Sequence, residues 1–407
     1  MDRKEPFQFG RAQMIPYGRQ DINEDDIDAV VAVLKSDFLT QGPAVPRFED
    51  ALASKVRASH AVAVNSATSA LHVALAALDV GPGDLIWTSP ITFVASANCA
   101  LYCGADVDFV DIDPRTYNMC ANALEQKLHK AALNGKLPKA IIPVHMSGQS
   151  PDMHRISELV ADYGIHVVED ASHAIGAEYK GTPVGDCAHS AITVFSFHPV
   201  KIITSAEGGM ATTNNPRLAE RMAMLRSHGV TRDPSLMRGQ PDGPWYYQQI
   251  DLGWNYRMTD VQAALGLSQL SRLDEFVQAR NEHADRYDEL LADIPIGLPN
   301  RLPESRSAFH LYVVRLQTDN AMAHRSVFED MRNAGIGVNL HYIPVHVQPY
   351  YRDLGFSWGD FPQAETYYQQ AMTLPLFPGL TSQEQEKVVE TLKNSILRRN
   401  ATPAATA

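Results

Sequence analysis

SAITVFSFHPVKIITSAEGGMATT, residues 190–213, decides the fold, because it delivers one lysine, Lys201, from a strand-rich and almost uncharged surrounding. Burial disfavours the ammonium form. A lysine held there titrates nearer neutrality and acts as an amine nucleophile, typically as a Schiff base with a carbonyl compound. The competing reading of a lone lysine at a strand end is a side chain that snorkels to water. The company Lys201 keeps separates the two.

Upstream lies IHVVEDASHAIGAEY, in which the β-branched run 165–168 ends in Glu169, Asp170, Ala171, Ser172 and His173. This pattern predicts a buried strand with a carboxylate at its C-terminal tip, where ligands sit in open α/β sheets. Further upstream, ASHAVAVNSATSALHVALAALDVGPGD reads as strand (61–64), tight turn and helix, with Leu71, Leu75 and Leu78 at helical spacing. Ser66, Ala67 and Thr68 fall at the helix start, where free N–H groups and the positive end of the dipole make a phosphate site. A Ser/Thr cap opens many ordinary helices, so this turn carries weight only in combination. Phe93 stands at the next strand–helix junction, placed either to lie on a flat cofactor or to fill the core. An aspartate at a strand tip can keep a pyridinium nitrogen protonated, which is what makes pyridoxal phosphate an electron sink.

Phosphate turn, aromatic ring, strand-tip aspartate and desolvated lysine follow the order found in fold-type-I pyridoxal-phosphate enzymes. From about Ile15 to Leu397 the chain resembles the sugar aminotransferases of the DegT/DnrJ/EryC1/StrS family. The resemblance is carried by YGRQ at Tyr17, LTQGP at Leu39, NSATSALH at Asn65, TSPITFVASANC at Thr88, PVHMSGQ at Pro143, VVEDASHAIG at Val167, FSFHPVKIITSAEGGM at Phe195, LRSHGV at Leu225 and GWNYRMTDVQAALG at Gly253. NSATSAL, LTQGP and SFHPVK look like the branch that aminates a UDP-linked 4-keto-6-deoxy-N-acetylhexosamine with L-glutamate in pseudaminic acid biosynthesis.

The resemblance implies an α/β fold of type I: a large domain with a mixed, mostly parallel sheet and a smaller C-terminal α+β domain. It implies that Lys201 carries pyridoxal 5'-phosphate and moves protons, that Asp170 pairs with the ring nitrogen, and that His173 approaches the phenolic oxygen. Phe93 would stack on the ring, Ala67, Thr68 and Ser196 would hold the phosphate, and Asn255 would reach that phosphate from the second subunit of a homodimer. Tyr17, Asp37, Phe38, Leu39 and Thr40, with His341, Tyr342, Ile343 and Pro344, would line the nucleotide-sugar side. Many relatives have glutamine where His173 stands. Relatives specialised for dehydrating a keto sugar have histidine in place of the lysine, so Lys201 favours transamination, and a non-catalytic binding module would have no physical need for a cofactor anchor.

The 407-residue chain, 45% hydrophobic and 20% charged, is long enough to bury a core in two domains. Its net charge of −12 argues against nucleic acid or an anionic membrane as partner. Cys99, Cys103, Cys120 and Cys187 form no Cys-x-x-Cys pair and read as reduced, buried thiols of a cytoplasmic protein. No paired ligands point to a metal; His341 and His346, with His310, are the best alternative. No signal peptide is evident, and the run 90–105 is too short to span a bilayer. The expected organisation is an N-terminal arm (1–22), a large domain (23–273), a small domain (274–400) and a flexible tail (401–407). Asn23 caps a helix reaching Leu34, 259–291 is a long helical link, and nothing fixes the conformation of 231–249.

Overall fold

The computed structural model describes residues 14–317 and 321–400. The tail 401–407 and most of the expected arm lie outside the described residues. Seven strands form the main sheet: β1 (His60–Val64), β2 (Leu85–Thr88), β3 (Asp106–Phe109), β4 (Ala140–Ile142), β5 (His166–Asp170), β6 (Ile192–Ser196) and β7 (Gly209–Thr213). Their spatial order is β1-β7-β6-β5-β4-β2-β3, with β7 antiparallel to both neighbours and the other pairs parallel.

Both faces of this sheet are covered, and the sequence alternation shows how. Val62, Val64, Ile86, Val168 and Val194 pack against helices α3 (Ala67–Ala77), α4 (Ala95–Tyr102) and, beyond these, α7 (Pro216–Leu225). Their neighbours in the strands point the other way. Ala63 and Phe195 meet α2 (Ala44–Val56) and α8 (Asp260–Ser271), while Trp87 and Val167 join the layer of α5 (Ala121–Asn134) and α6 (Met153–Ala161). A sheet buried on two faces needs apolar residues at successive positions, which is why its strands read as continuous apolar runs. β7 contains two fully buried threonines, and each is satisfied: Thr212 Oγ1 donates to the Gly185 carbonyl at 2.9 Å and Thr213 Oγ1 to the Ala191 carbonyl at 2.7 Å.

The helix α1 (Glu24–Leu34) starts at Asn23 in a reciprocal cap with Asp26, as its sequence predicts. The expected single link over 259–291 is two helices. α8, capped by Thr259 with Gln262, stops at Ser271, and α9 (Leu273–Leu291) starts after Arg272, whose guanidinium turns back to Asp21 and Asp26. Beyond α9, strands β8 (Ile296–Gly297), β9 (Tyr312–Leu316) and β10 (Ala371–Leu374) form an antiparallel sheet, with α10 (Ala321–Asn333), α11 (Pro349–Asp353), α12 (Pro362–Gln370) and α13 (Ser382–Asn400) around them.

Residues at the N-terminus do not stand apart from this second layer. Ile15 is buried in its core, exchanges backbone bonds with Gly335 and Gly337 at 3.0 and 2.7 Å, and delivers Tyr17, whose carbonyl accepts from Leu376 N at 3.0 Å. In 231–249, the backbone pairs 230–231 with 248–249, and Gln248 closes the loop through both backbone groups of Arg238 at 2.7 Å. Among the described residues all four cysteines are free, but only Cys99 and Cys187 are buried; Cys103 and Cys120 are half-buried, because they end α4 and precede α5 rather than facing the sheet.

Candidate active site

The carboxyl ends of β1, β2, β5 and β6 and the start of the reversed β7 meet at one rim, opening on a cleft of about 890 Å³. Tyr17, Ala67, Thr68, Phe93, Asp170, His173, Ser196, Lys201, His341 and Tyr342 all line it. Asp37, Phe38, Leu39, Thr40, Ile343, Pro344 and Asn255 do not line it in the protomer; Phe38, Leu39 and Ile343 are exposed. Asn255 is exposed too, its carbonyl accepting from Asn65 Nδ2 at 3.4 Å, so any role it has in a site is at a surface.

Lys201 sits on the loop between β6 and β7 rather than at a strand tip. Pro199 breaks the ladder by lacking an N–H, and the loop is tied by Phe197 N to the Gly208 carbonyl (2.9 Å), Ser205 N to the Phe197 carbonyl (3.0 Å) and Lys201 N to the His198 carbonyl (2.9 Å). Buried Ile202 and Ile203 anchor it. Burial lowers the Lys201 ammonium to about 8, against the opposing pull of Asp170. About a tenth of the amine is therefore uncharged at pH 7.

Asp170 ends β5, with the Ser172 N–H donating to Oδ1 at 3.1 Å and the Ser96 hydroxyl to Oδ2 at 2.5 Å. His173, at the next turn, is buried, with Nε2 3.0 Å from the Tyr342 hydroxyl and Nδ1 without a partner among the described residues. Its ring lies 4.4 Å from that of His310. Burial, and then the Lys201 charge, push His173 well below its ordinary value, and burial followed by His173 and Lys201 does the same to His310. His341, 2.8 Å from the Thr373 hydroxyl, is lowered to about 3 by burial and Lys201. Three imidazoles around the lysine are thus neutral at physiological pH.

At the opposite wall Ser66 caps α3: its Oγ accepts from Ser69 N at 3.1 Å and its carbonyl from Ala70 N at 3.0 Å. This leaves the Ala67 and Thr68 N–H groups without an acceptor among the described residues, at the positive end of the helix. Gly209 makes the turn fit. A Cβ there would come within 2.5 Å of Ala67 N and of the Ser66 carbonyl, so only glycine lets β7 start directly beneath the helix end. Phe93 stays 59% exposed at the rim, 6.2 Å from the Tyr342 ring, a face free for a ligand rather than core packing.

A desolvated amine, a carboxylate with both oxygens gripped, an open helix N-terminus and an unpartnered buried imidazole fit pyridoxal phosphate: amine for the aldehyde, carboxylate for the ring nitrogen, helix end for the phosphate. Three contributors had escaped the sequence analysis, and a fourth, His310, had been read there only as part of a metal alternative. His310 is 137 residues from its ring partner (310 − 173), so nothing local pointed to its place beside His173. Asn339 lines the cleft from just before His341. Thr92 and Ser96, four apart in ITFVAS, could have been found as a hydroxyl pair at helical spacing.

Comparison with known proteins agrees. The chain is 39% identical to the spore coat polysaccharide biosynthesis protein SpsC of Bacillus subtilis over 95% of its length and 98% of that protein. It is 37% identical to the UDP-4-amino-4,6-dideoxy-N-acetyl-beta-L-altrosamine transaminase of Campylobacter jejuni, covering 93% of this chain and 96% of the relative. Among solved structures it matches Helicobacter pylori PseC, an aminotransferase involved in pseudaminic acid biosynthesis, with a TM-score of 0.87 and 30% identity over 95% of this chain and all of that one. The putative sugar aminotransferase Spr1654 of Streptococcus pneumoniae, in its PMP form, matches with a TM-score of 0.87 and 32% identity over 94% and 99% of the two chains. With residues 20–393 matching its family model, and the cofactor cleft built as described, the chain belongs to the DegT/DnrJ/EryC1/StrS aminotransferase family of pyridoxal-phosphate-dependent sugar aminotransferases.

Proposed function

We propose that the enzyme transfers the amino group of L-glutamate to a UDP-linked 4-keto-6-deoxy-N-acetylhexosamine, giving UDP-4-amino-4,6-dideoxy-N-acetyl-beta-L-altrosamine on the route to pseudaminic acid. The observation that carries the reaction class is the Lys201 amine, lowered to about 8 in the same cleft as Asp170 and the open end of α3. The Campylobacter jejuni relative and Helicobacter pylori PseC support the sugar. The bound cofactor supplies an electron sink next to the carbon that loses its proton.

The chain's own residues do the rest. Lys201 Nζ, partly uncharged near neutrality, takes a proton from the donor carbon and later returns one to the sugar carbon. A group that must be base and acid in turn works best with a value close to ambient pH. Asp170 would hold the ring nitrogen, His173 would approach the phenolic oxygen, Phe93 would cover the ring, and Ala67, Thr68 and Ser196 would grip the phosphate. The neutral imidazole of His341 with Tyr17 and Tyr342 would meet the sugar nucleotide, while Asp37, Phe38, Leu39, Thr40, Ile343 and Pro344, which lie outside the cleft of one protomer, would serve a site shared across a homodimer together with Asn255. We also take 23–273 and 274–400 as the large and small domains, and the cytoplasm as the place of action. Among the described residues no helix is long and apolar enough to cross a membrane.

A spectrum of the enzyme reconstituted with pyridoxal phosphate tests this reading. The band should shift to the pyridoxamine form on adding glutamate and return on adding the UDP-4-keto sugar; return only with a different nucleotide-linked keto sugar would overturn the substrate. That second reading is favoured by the SpsC relative, whose name places it in spore coat polysaccharide biosynthesis. For the shared site, mixing inactive Lys201→Ala and Asn255→Ala subunits should restore part of the activity, and no rescue with subunit exchange demonstrated would reject it.

A further inference from the structure

Ser96 lies on α4, fully buried, and does not line the cleft. Its Oγ is 2.5 Å from Asp170 Oδ2 and 2.7 Å from Thr92 Oγ1, and Thr92 does line the cleft. A hydroxyl has one proton to give. The shorter contact, to a carboxylate oxygen, is the charge-assisted one, so the Ser96 proton goes to Asp170. Thr92 must then donate to Ser96. The order is thereby determined: Thr92 O–H to Ser96 Oγ, Ser96 O–H to Asp170 Oδ2.

The other carboxylate oxygen is held as well, by the Ser172 N–H at 3.1 Å. Side-chain and backbone donors on different elements, α4 and the turn after β5, thus fix the torsion of one carboxylate. Without Ser96, Oδ2 would be a buried oxygen lacking a donor, and the group would turn to find one.

We infer that Ser96, backed by Thr92, is a positioning residue that orients Asp170 towards the cofactor ring. The inference rests on the reading of Asp170 as partner of the ring nitrogen. Ser96 touches neither substrate nor cofactor and acts through Asp170 alone. The arrangement explains why two hydroxyls occupy the otherwise apolar entry to α4.

The test uses the full-length apoprotein and pyridoxal phosphate, labelled with ¹⁵N in the ring. Ser96→Ala should weaken cofactor binding by about ten- to a hundredfold, as measured by fluorescence titration, because a buried charged acceptor loses its donor. The ring ¹⁵N resonance should move towards that of an unprotonated nitrogen, and kcat should fall with little change in the KM for glutamate. Ser96→Thr, which keeps the hydroxyl, should return the resonance towards wild type. Wild-type affinity and resonance in folded Ser96→Ala would overturn the inference. Asp170→Asn separates the two layers: if it too leaves the resonance unmoved, the role of Asp170 is wrong; if it alone moves it, only the relay is. Should Ser96→Ala not fold, Thr92→Val decides, a smaller displacement in the same direction supporting the relay and none rejecting it.

Discussion

Replacing Lys201 with methionine should stabilise the cofactor-free protein near neutral pH, by an amount that shrinks as the pH rises. The side chain keeps an unbranched apolar stem, one heavy atom shorter than that of lysine, and loses the charged amine. In the folded protein burial lowers the ammonium from 10.5 to about 8, so below pH 8 the native state carries a cation it holds less well than the unfolded chain does. At 1.36 kcal/mol per pH unit, the penalty is roughly 3 kcal/mol at pH 6.5, as an upper bound. The sign follows from proton uptake: the unfolded state binds more protons between pH 8 and 10.5, so wild-type stability rises through that window and the methionine variant's does not. At pH 9.5 the gap should be down to roughly 1.5 kcal/mol. Urea unfolding of both apoproteins at the two pH values, followed by tryptophan fluorescence, measures it. A variant less stable than wild type at pH 6.5, or a gap that does not narrow, would refute the desolvation on which the catalytic reading of Lys201 stands.

Three further outcomes are expected. Gly209→Ala drives a Cβ into Ala67 N and the Ser66 carbonyl, and should weaken pyridoxal phosphate binding and cost about 1–3 kcal/mol in unfolding experiments. His145→Ala removes the ring nitrogen 2.8 Å from buried Glu169, which keeps the Ser190 and Thr193 hydroxyls, and should cost about 1–3 kcal/mol. Burial pushes Glu169 up but His145, Ser190 and Thr193 hold it below its ordinary 4.5, so the stability it adds is present above that value and lost on acidification; the gap between the two proteins should close below about pH 4.5. Gly42→Ala would press on Phe38 and on the Asp260 carboxylate that accepts from Gly42 and Ala44 N at 3.1 Å, and should raise the KM for the sugar while sparing that for glutamate.

The parts of the site legible in the sequence were those whose chemistry is local. The capped turn at Ser66, the acidic tip of a valine-rich strand and a lysine among apolar residues each carry their meaning within a few residues, and the α/β fold followed from the alternation of such segments. What stayed hidden depends on contacts between distant segments. Nothing near His173 announces Tyr342 or His310, which reach it from the second layer. Ser96 passes for one small residue in an apolar helix until β5 is laid beside it. The break at Arg272 is equally non-local, since it answers to carboxylates at positions 21 and 26.

The reversed strand β7 has a consequence for how the protein is made. β1, whose end leads into the turn at Ser66, stands at the edge of the sheet and, among the described strands, pairs with β7 from His60↔Thr213 to Val64↔Gly209. At about 5–20 residues per second, a ribosome needs roughly 7–30 s to go from one to the other. During that interval the apolar strand lacks its β7 partner, and an unpaired strand edge is a liability until it is covered. The turn at Ser66 therefore gains its backing by Gly209 only once β7 has been made.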